Sequence, residues 1–131
     1  MSRLSVEALE LAVAALEEGL REYAEHPVLT MRDGVIQRFE IAMDLSWKLL
    51  QRTLKDILTI NPGLIRTKED MFRVAAEYAL IKETVRWLGH YEARNQTAHI
   101  YDADLAAQVF DRISLFLPDV RELVARLKDA A

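Results

Sequence analysis

Apolar residues recur along this chain at steps of three and four, the period of an α-helix with one face turned inward. Val6, Leu9, Val13, Leu16, Leu20 and Tyr23 form the first such stripe and predict a helix over about Ser5 to Glu25. His26-Pro27 stops it, because the residue before a proline is pushed out of the helical region. Ile36, Phe39, Met43, Trp47, Leu50, Leu54 and Ile57 make a second, longer stripe, broadened by Ala42, Leu45 and Leu49. That helix is expected to begin near Thr30, with Asp33 at capping-box spacing, and to end at the turn Asn61-Pro62-Gly63. Thr67 and Asp70 open a shorter helix carrying Phe72, Ala75, Ala76, Ala79 and Leu80. A fourth helix is predicted from about Glu83 to Ile100. The last starts near Asp102 to Asp104 and carries Leu105, Val109, Ile113, Leu117, Val120, Leu123 and Leu127. Pro118 lies inside this pattern and is expected to kink or split the helix. No run alternates with period two and no hairpin turn is present. The expectation is a single all-α domain over residues 1–131, an antiparallel up-and-down bundle of four long helices and one short one.

Composition narrows the chemistry. Of the 131 residues, 51% are hydrophobic, enough for a core without metal or disulfide support. There is no cysteine, which excludes thiolate metal sites and cysteine nucleophiles and fits a reducing, cytoplasmic compartment. The N-terminal segment mixes charged and apolar residues and lacks the apolar core of a signal peptide. No stretch approaches the ~18 apolar residues of a membrane span, so a soluble cytoplasmic protein is expected. The net charge of −4 and pI of about 5.4 argue against a protein that coats nucleic acid broadly. They leave room for a local phosphate site made by a few arginines. The three scattered histidines make no metal site, and nothing in the sequence calls for a cofactor.

The informative stretch is Trp87 to Asp102, WLGHYEARNQTAHIYD. Extending the face of Trp87, Leu88 and Tyr91 at helical steps brings in Asn95, Ala98, His99 and Asp102. Polar groups are thus expected where a bundle wants leucine. Buried without partners, each would cost about 1–3 kcal/mol, so they should pair in a network or open onto a cleft. Asn95 and His99 are four apart and expected to stack on one face, with Arg94 reaching the same cleft. An imidazole can pass a proton near neutral pH, and a guanidinium offers a planar fork to phosphate oxygens. The set suits metal-independent RNA cleavage: the 2′-hydroxyl attacks its own phosphate, His99 moves a proton, and Arg94 offsets charge on the crowded phosphate. His90 reads as solvent-facing or a local hydrogen bonder, and Trp47 as core. Glu40, Asp44 and Lys48, spaced by four, read as surface ion pairing.

Arg94-Asn95-Gln96-Thr97-Ala98-His99 resembles the signature of the HEPN family, an Arg and a His four to six residues apart with a polar residue after the Arg. Ile100-Tyr101 extends it to Arg-x4-His-x-Tyr, the form of HepT-like toxins. Arg32-Asp33-Gly34-Val35-Ile36-Gln37-Arg38-Phe39-Glu40, followed by Asp44, Trp47 and Lys48, resembles the second helix of the nucleotidyltransferase substrate-binding subfamily. The likeness runs from about Leu9 to Leu127. It implies a helical bundle that forms a homodimer, with two motif helices meeting at a cleft, and a minimal nucleotidyltransferase as partner. It implies an RNase toxin with Arg94 and His99 catalytic and Asn95 supporting, neutralised when the partner attaches AMP to Tyr101. Arg38 could then lie near the cleft. An alternative implication is a non-catalytic subunit that holds substrate for the nucleotidyltransferase.

Overall fold

The chain enters its first helix at Ser5, whose extended backbone (φ −146°) lets its hydroxyl accept from the Ala8 amide at 3.0 Å. This is an N-cap, satisfying an amide that has no partner inside the helix. In this computed structural model, which describes residues 4–130, helix α1 runs Val6–Glu25 and buries Leu9, Val13 and Leu16. Gly19 lies where α1 meets Arg38; a Cβ there would sit 3.0 Å from the guanidinium, which donates to the Ala15 carbonyl at 2.8 Å. Arg38 therefore ties the first two helices together.

Helix α2 spans Leu29–Arg52. It starts at Leu29, before Thr30, and no side chain caps it; the residue at the cap position is Val28. The expected Thr30–Asp33 cap does not form, because the chain turns helical as soon as it clears His26-Pro27. The Val28 carbonyl then accepts from the Met31 and Arg32 amides, both at 3.1 Å. Nor does regular α-helix reach the Asn61-Pro62-Gly63 turn. It loosens into a π-helical turn, Thr53–Ile57, closed by the Leu58 amide on the Thr53 carbonyl at 3.0 Å. A short 3-10 turn, Pro62–Leu64, comes next, with the Asn61 side chain accepting from the Gly63 amide at 2.8 Å.

Helix α3, Lys68–Glu77, begins as its spacing predicts, with the Thr67 hydroxyl accepting from the Asp70 amide at 3.0 Å. It ends in a Schellman turn. Leu80 N–H reaches the Ala75 carbonyl at 2.9 Å and Ala79 N–H the Ala76 carbonyl at 3.0 Å. Helix α4 covers Thr84–Gln96, tightens into a 3-10 turn at Thr97–His99, and hands over to α5, Ala103–Ala130. Pro118 does not split α5. Proline removes the amide that would serve the Ser114 carbonyl. Beside that opened turn, Arg86 donates to the Leu115 carbonyl at 3.1 Å.

The core is lined by all five α-helices, with α1, α4 and α5 packed around α2. Phe39 of α2 meets Phe116 of α5 edge-on, centroids 5.0 Å apart. Trp87 of α4 closes on the same ring at 5.9 Å. No strand is present among the described residues, and the architecture is the all-α bundle that the patterning predicts.

Ala79 carries a left-handed backbone (φ 61°), a conformation that crowds Cβ against the following carbonyl. Ala79→Gly relieves that contact at a smaller entropic cost in the unfolded chain. The expected gain is roughly 0.5–1 kcal/mol in urea unfolding. Equal or lower stability would show that the turn is not strained.

Candidate functional site

Arg94 sits on the last turn of α4, and its side chain is 27% exposed. Asp44 of α2 holds it with both oxygens: Nε donates to Oδ1 at 2.7 Å and Nη2 to Oδ2 at 2.9 Å. Glu40, one turn earlier on α2, lies 3.8 Å from Nη2. The hydrogen bonds to Asp44, and with them the charges of the two carboxylates, raise Arg94 above the ordinary arginine value against the opposing effect of burial. The Thr97 hydroxyl, buried at the start of the 3-10 turn, lies 2.6 Å from Glu40 Oε2 and 2.7 Å from the Arg94 carbonyl. It lies 3.4 Å from Arg94 Nη1. A bidentate fork of this kind fixes the plane of the guanidinium as well as its place.

His99 and Tyr101 stand at the other end of this turn. His99 is exposed and Tyr101 is 85% exposed. His99 Nδ1 lies 3.3 Å from the tyrosine hydroxyl, and the rings meet edge-on. Asn95 is exposed as well. The expectation that Asn95 and His99 lie on the buried face of α4 is therefore overturned. The buried residues are Trp87, His90, Ala93 and Thr97, a stripe rotated one residue from the expected one. Histidine, alanine and threonine hide that stripe from an apolar pattern. The helix also tightens at Thr97, so the four-residue stacking of Asn95 on His99 does not carry through. No direct bond joins Arg94 to His99 among the described residues.

Glu40 and Asp44 partner Arg94 across two helices, which corrects their reading as surface ion pairing along α2. The signal for this is in the spacing: two carboxylates at i and i+4 repel along one helix face, and such a pair wants a cation from elsewhere. Lys48, four past Asp44, does not supply it; its ammonium lies near the Trp47 ring at 5.7 Å. Arg38 faces α1 instead of the motif. Beside the Arg94 network, a cleft of about 470 Å³ opens between α2 and the motif turn, lined by Thr30, Asp33, Gln37, Glu40, Thr97 and Ile100 among others. Among the described residues no group of three or more His, Asp or Glu could hold a metal ion, and no helix is long and apolar enough to cross a membrane.

Residues 4–129 match the family described as "nucleotidyltransferase substrate binding protein like". The chain belongs to this family. A relative from Haemophilus influenzae, named probable ribonuclease HepT, is 28% identical over 137 aligned positions, covering 96% of this chain and 93% of the relative. A solved Haemophilus influenzae structure, described as revealing the fold of a substrate-binding domain of a nucleotidyltransferase, superposes with a TM-score of 0.84. It is 25% identical and covers 95% of this chain and 99% of its own. A crystal structure from Thermus thermophilus is 30% identical, with a TM-score of 0.78 over 91% of this chain and 98% of that one. The family agrees with the resemblance carried by Arg94 to His99 and by the α2 segment.

A second polar cluster of this family member lies inside the bundle. His90 is fully buried, a hydrogen bonder and not a solvent-facing residue. Arg112 Nε can only donate, so His90 Nδ1 accepts its bond at 3.0 Å, and Nε2–H donates to Asp119 at 2.7 Å. Arg86 Nε donates to the same Asp119 oxygen at 2.9 Å, and Arg112 Nη2 to the Arg86 carbonyl at 2.7 Å. Gly89 makes room: a Cβ there would collide with the Arg112 guanidinium. Burial pushes His90 down to about 4, and the Asp119 bond does not offset it. Burial alone would raise the Asp119 carboxyl, but hydrogen bonds from Arg86 and His90 hold it below the usual value.

Protonating His90 would break its bond to Arg112, so this cluster favours the neutral imidazole. Its stabilisation is fully present above the ordinary histidine value of 6.5 and is lost as pH falls toward about 4, because the unfolded chain takes up the proton first. Urea unfolding should lose about 2 kcal/mol between about pH 7 and pH 5, and His90→Gln should lose much less over that window. An identical pH slope in both proteins would contradict the assignment.

Proposed function

We propose that this protein is a metal-independent endoribonuclease of the HEPN type, the toxin of a pair with a minimal nucleotidyltransferase, acting as a homodimer. The observation that carries this is the motif turn itself. Arg94 is anchored by Asp44 at one end, and His99 is open to solvent at the other. A proton-transfer group and a fixed phosphate-binding cation on one short surface segment suit in-line attack of a 2′-hydroxyl on the adjacent phosphate. His99 takes the hydroxyl proton as the new P–O bond forms, and a second imidazole, from the other protomer, protonates the departing 5′-oxygen. Arg94 offsets charge on the crowded phosphate. Asn95, exposed beside them, contacts the strand. The relative named probable ribonuclease HepT supports the same reading.

Tyr101 is the modification site in this proposal. Its hydroxyl attacks the α-phosphate of ATP on the nucleotidyltransferase, and pyrophosphate leaves. Because that hydroxyl lies 3.3 Å from His99 Nδ1, the added phosphate brings negative charge against the imidazole and repels RNA from the turn. A second reading, a non-catalytic subunit that holds substrate for the nucleotidyltransferase, is favoured by the acids around Arg94 and the net charge of −4.

Purified protein should cleave single-stranded RNA in the presence of a chelator. His99→Ala should lower the rate about 100-fold or more with its melting temperature retained, since the side chain is exposed. Arg94→Ala should lose activity and some stability, because it leaves two carboxylates unpaired. Wild-type cleavage by His99→Ala would remove the site, and an intact RNA with every variant and the wild type would favour the substrate-holding reading. Incubation with a small nucleotidyltransferase and ATP should add adenylyl mass to the wild type and none to Tyr101→Phe. Equal addition to both would refute Tyr101.

A further inference from the structure

We infer that Asp44 is a positioning residue for RNA cleavage, fixing the plane of the Arg94 guanidinium and the aim of its uncommitted Nη1 donor while opposing the binding of RNA; this rests on the nuclease reading. A guanidinium carries five N–H donors in one plane. Asp44 engages the Nε edge and one Nη2 donor, and Glu40 lies on the Nη2 side at 3.8 Å. Nη1 turns one N–H toward the Thr97 hydroxyl, 3.4 Å away, which leaves its second N–H uncommitted. Thr97 is in turn held by Glu40 at 2.6 Å, so the whole arrangement is fixed from α2. An unheld arginine would sweep many rotamers, and a phosphate would have to select one of them.

Asp44 and Glu40 have a second consequence. They put two negative charges beside the place where an RNA phosphate must sit, and like charges at short range weaken its binding. Asp44 thus improves the aim of Arg94 and worsens the hold on substrate. The two effects fall on different kinetic constants: aim acts on turnover, and charge repulsion acts on binding. A residue needed only for folding would not separate them.

The test is steady-state cleavage of a short single-stranded RNA by wild type, Asp44→Asn, Arg94→Ala and His99→Ala, with a melting curve for each. Asp44→Asn should lower kcat about tenfold while KM stays level or falls. Unchanged kcat overturns the inference, and so does a KM that rises along with the loss of kcat. Should Asp44→Asn fail to fold, Glu40→Gln should show the same split at about threefold. Loss of activity in Arg94→Ala and His99→Ala with wild-type kcat in Asp44→Asn sinks the positioning role alone. Full activity in Arg94→Ala and His99→Ala sinks the nuclease reading and this inference with it.

Discussion

Two carboxylates one turn apart on α2, Glu40 and Asp44, face the end of α4 and require a cation there. Arg94 supplies it through a two-pronged bond to Asp44. On one helix face the acids repel each other; sharing a guanidinium converts that cost into a tie between helices. Two residues past Arg94, α4 ends at Gln96 and the chain tightens into the Thr97–His99 turn, with Thr97 locked onto Glu40. His99 and Tyr101, at the far end of that turn, are left outside the bundle. An exposed His99–Tyr101 pair beyond an anchored arginine is the outcome, with the Glu40 and Thr97 edge of a cleft nearby.

The bundle contains two polar clusters of opposite character. His90, Asp119, Arg112 and Arg86 pair within the bundle, and every nitrogen of the imidazole is occupied. Such a group has no free lone pair or proton with which to do chemistry, and burial keeps it neutral. Its role is to join α4 to α5 around Pro118. Both clusters reach solvent at their rims, Arg86 in the one being 36% exposed and Arg94 in the other 27% exposed. Of the two histidines in this stretch, His99 is exposed and His90 is committed to the architecture.

Much of this was legible in the residue pattern. The stripes of α1 and α5 and the Ser5 and Thr67 starts follow from spacing and cap chemistry, because the two long helices bury mostly leucine, valine and isoleucine. The phase of α4 did not follow. Its inner face is built from Trp87, His90, Ala93 and Thr97, and past Trp87 those residue types make no strong apolar stripe. The same polar core explains why the pattern left His90 open between a solvent-facing residue and a local hydrogen bonder. The partners of Arg94 lie about fifty positions away on α2, and only the unfavourable Glu40–Asp44 spacing hinted at them. Pro118 sits within α5, and beside the turn that it opens Arg86, a neighbour invisible to local pattern, donates to the Leu115 carbonyl.

The claim on which the rest turns is that Arg94 and Asp44 are energetically coupled across α2 and α4. A double-mutant cycle measures it directly: urea unfolding of wild type, Arg94→Ala, Asp44→Ala and the double variant. The coupling expected for a half-buried, two-pronged charged bond is roughly 1–2 kcal/mol, with the double variant less destabilised than the sum of the two singles. Additive losses, with a coupling near zero, would mean that the arginine is not held, and the site built upon it would not stand.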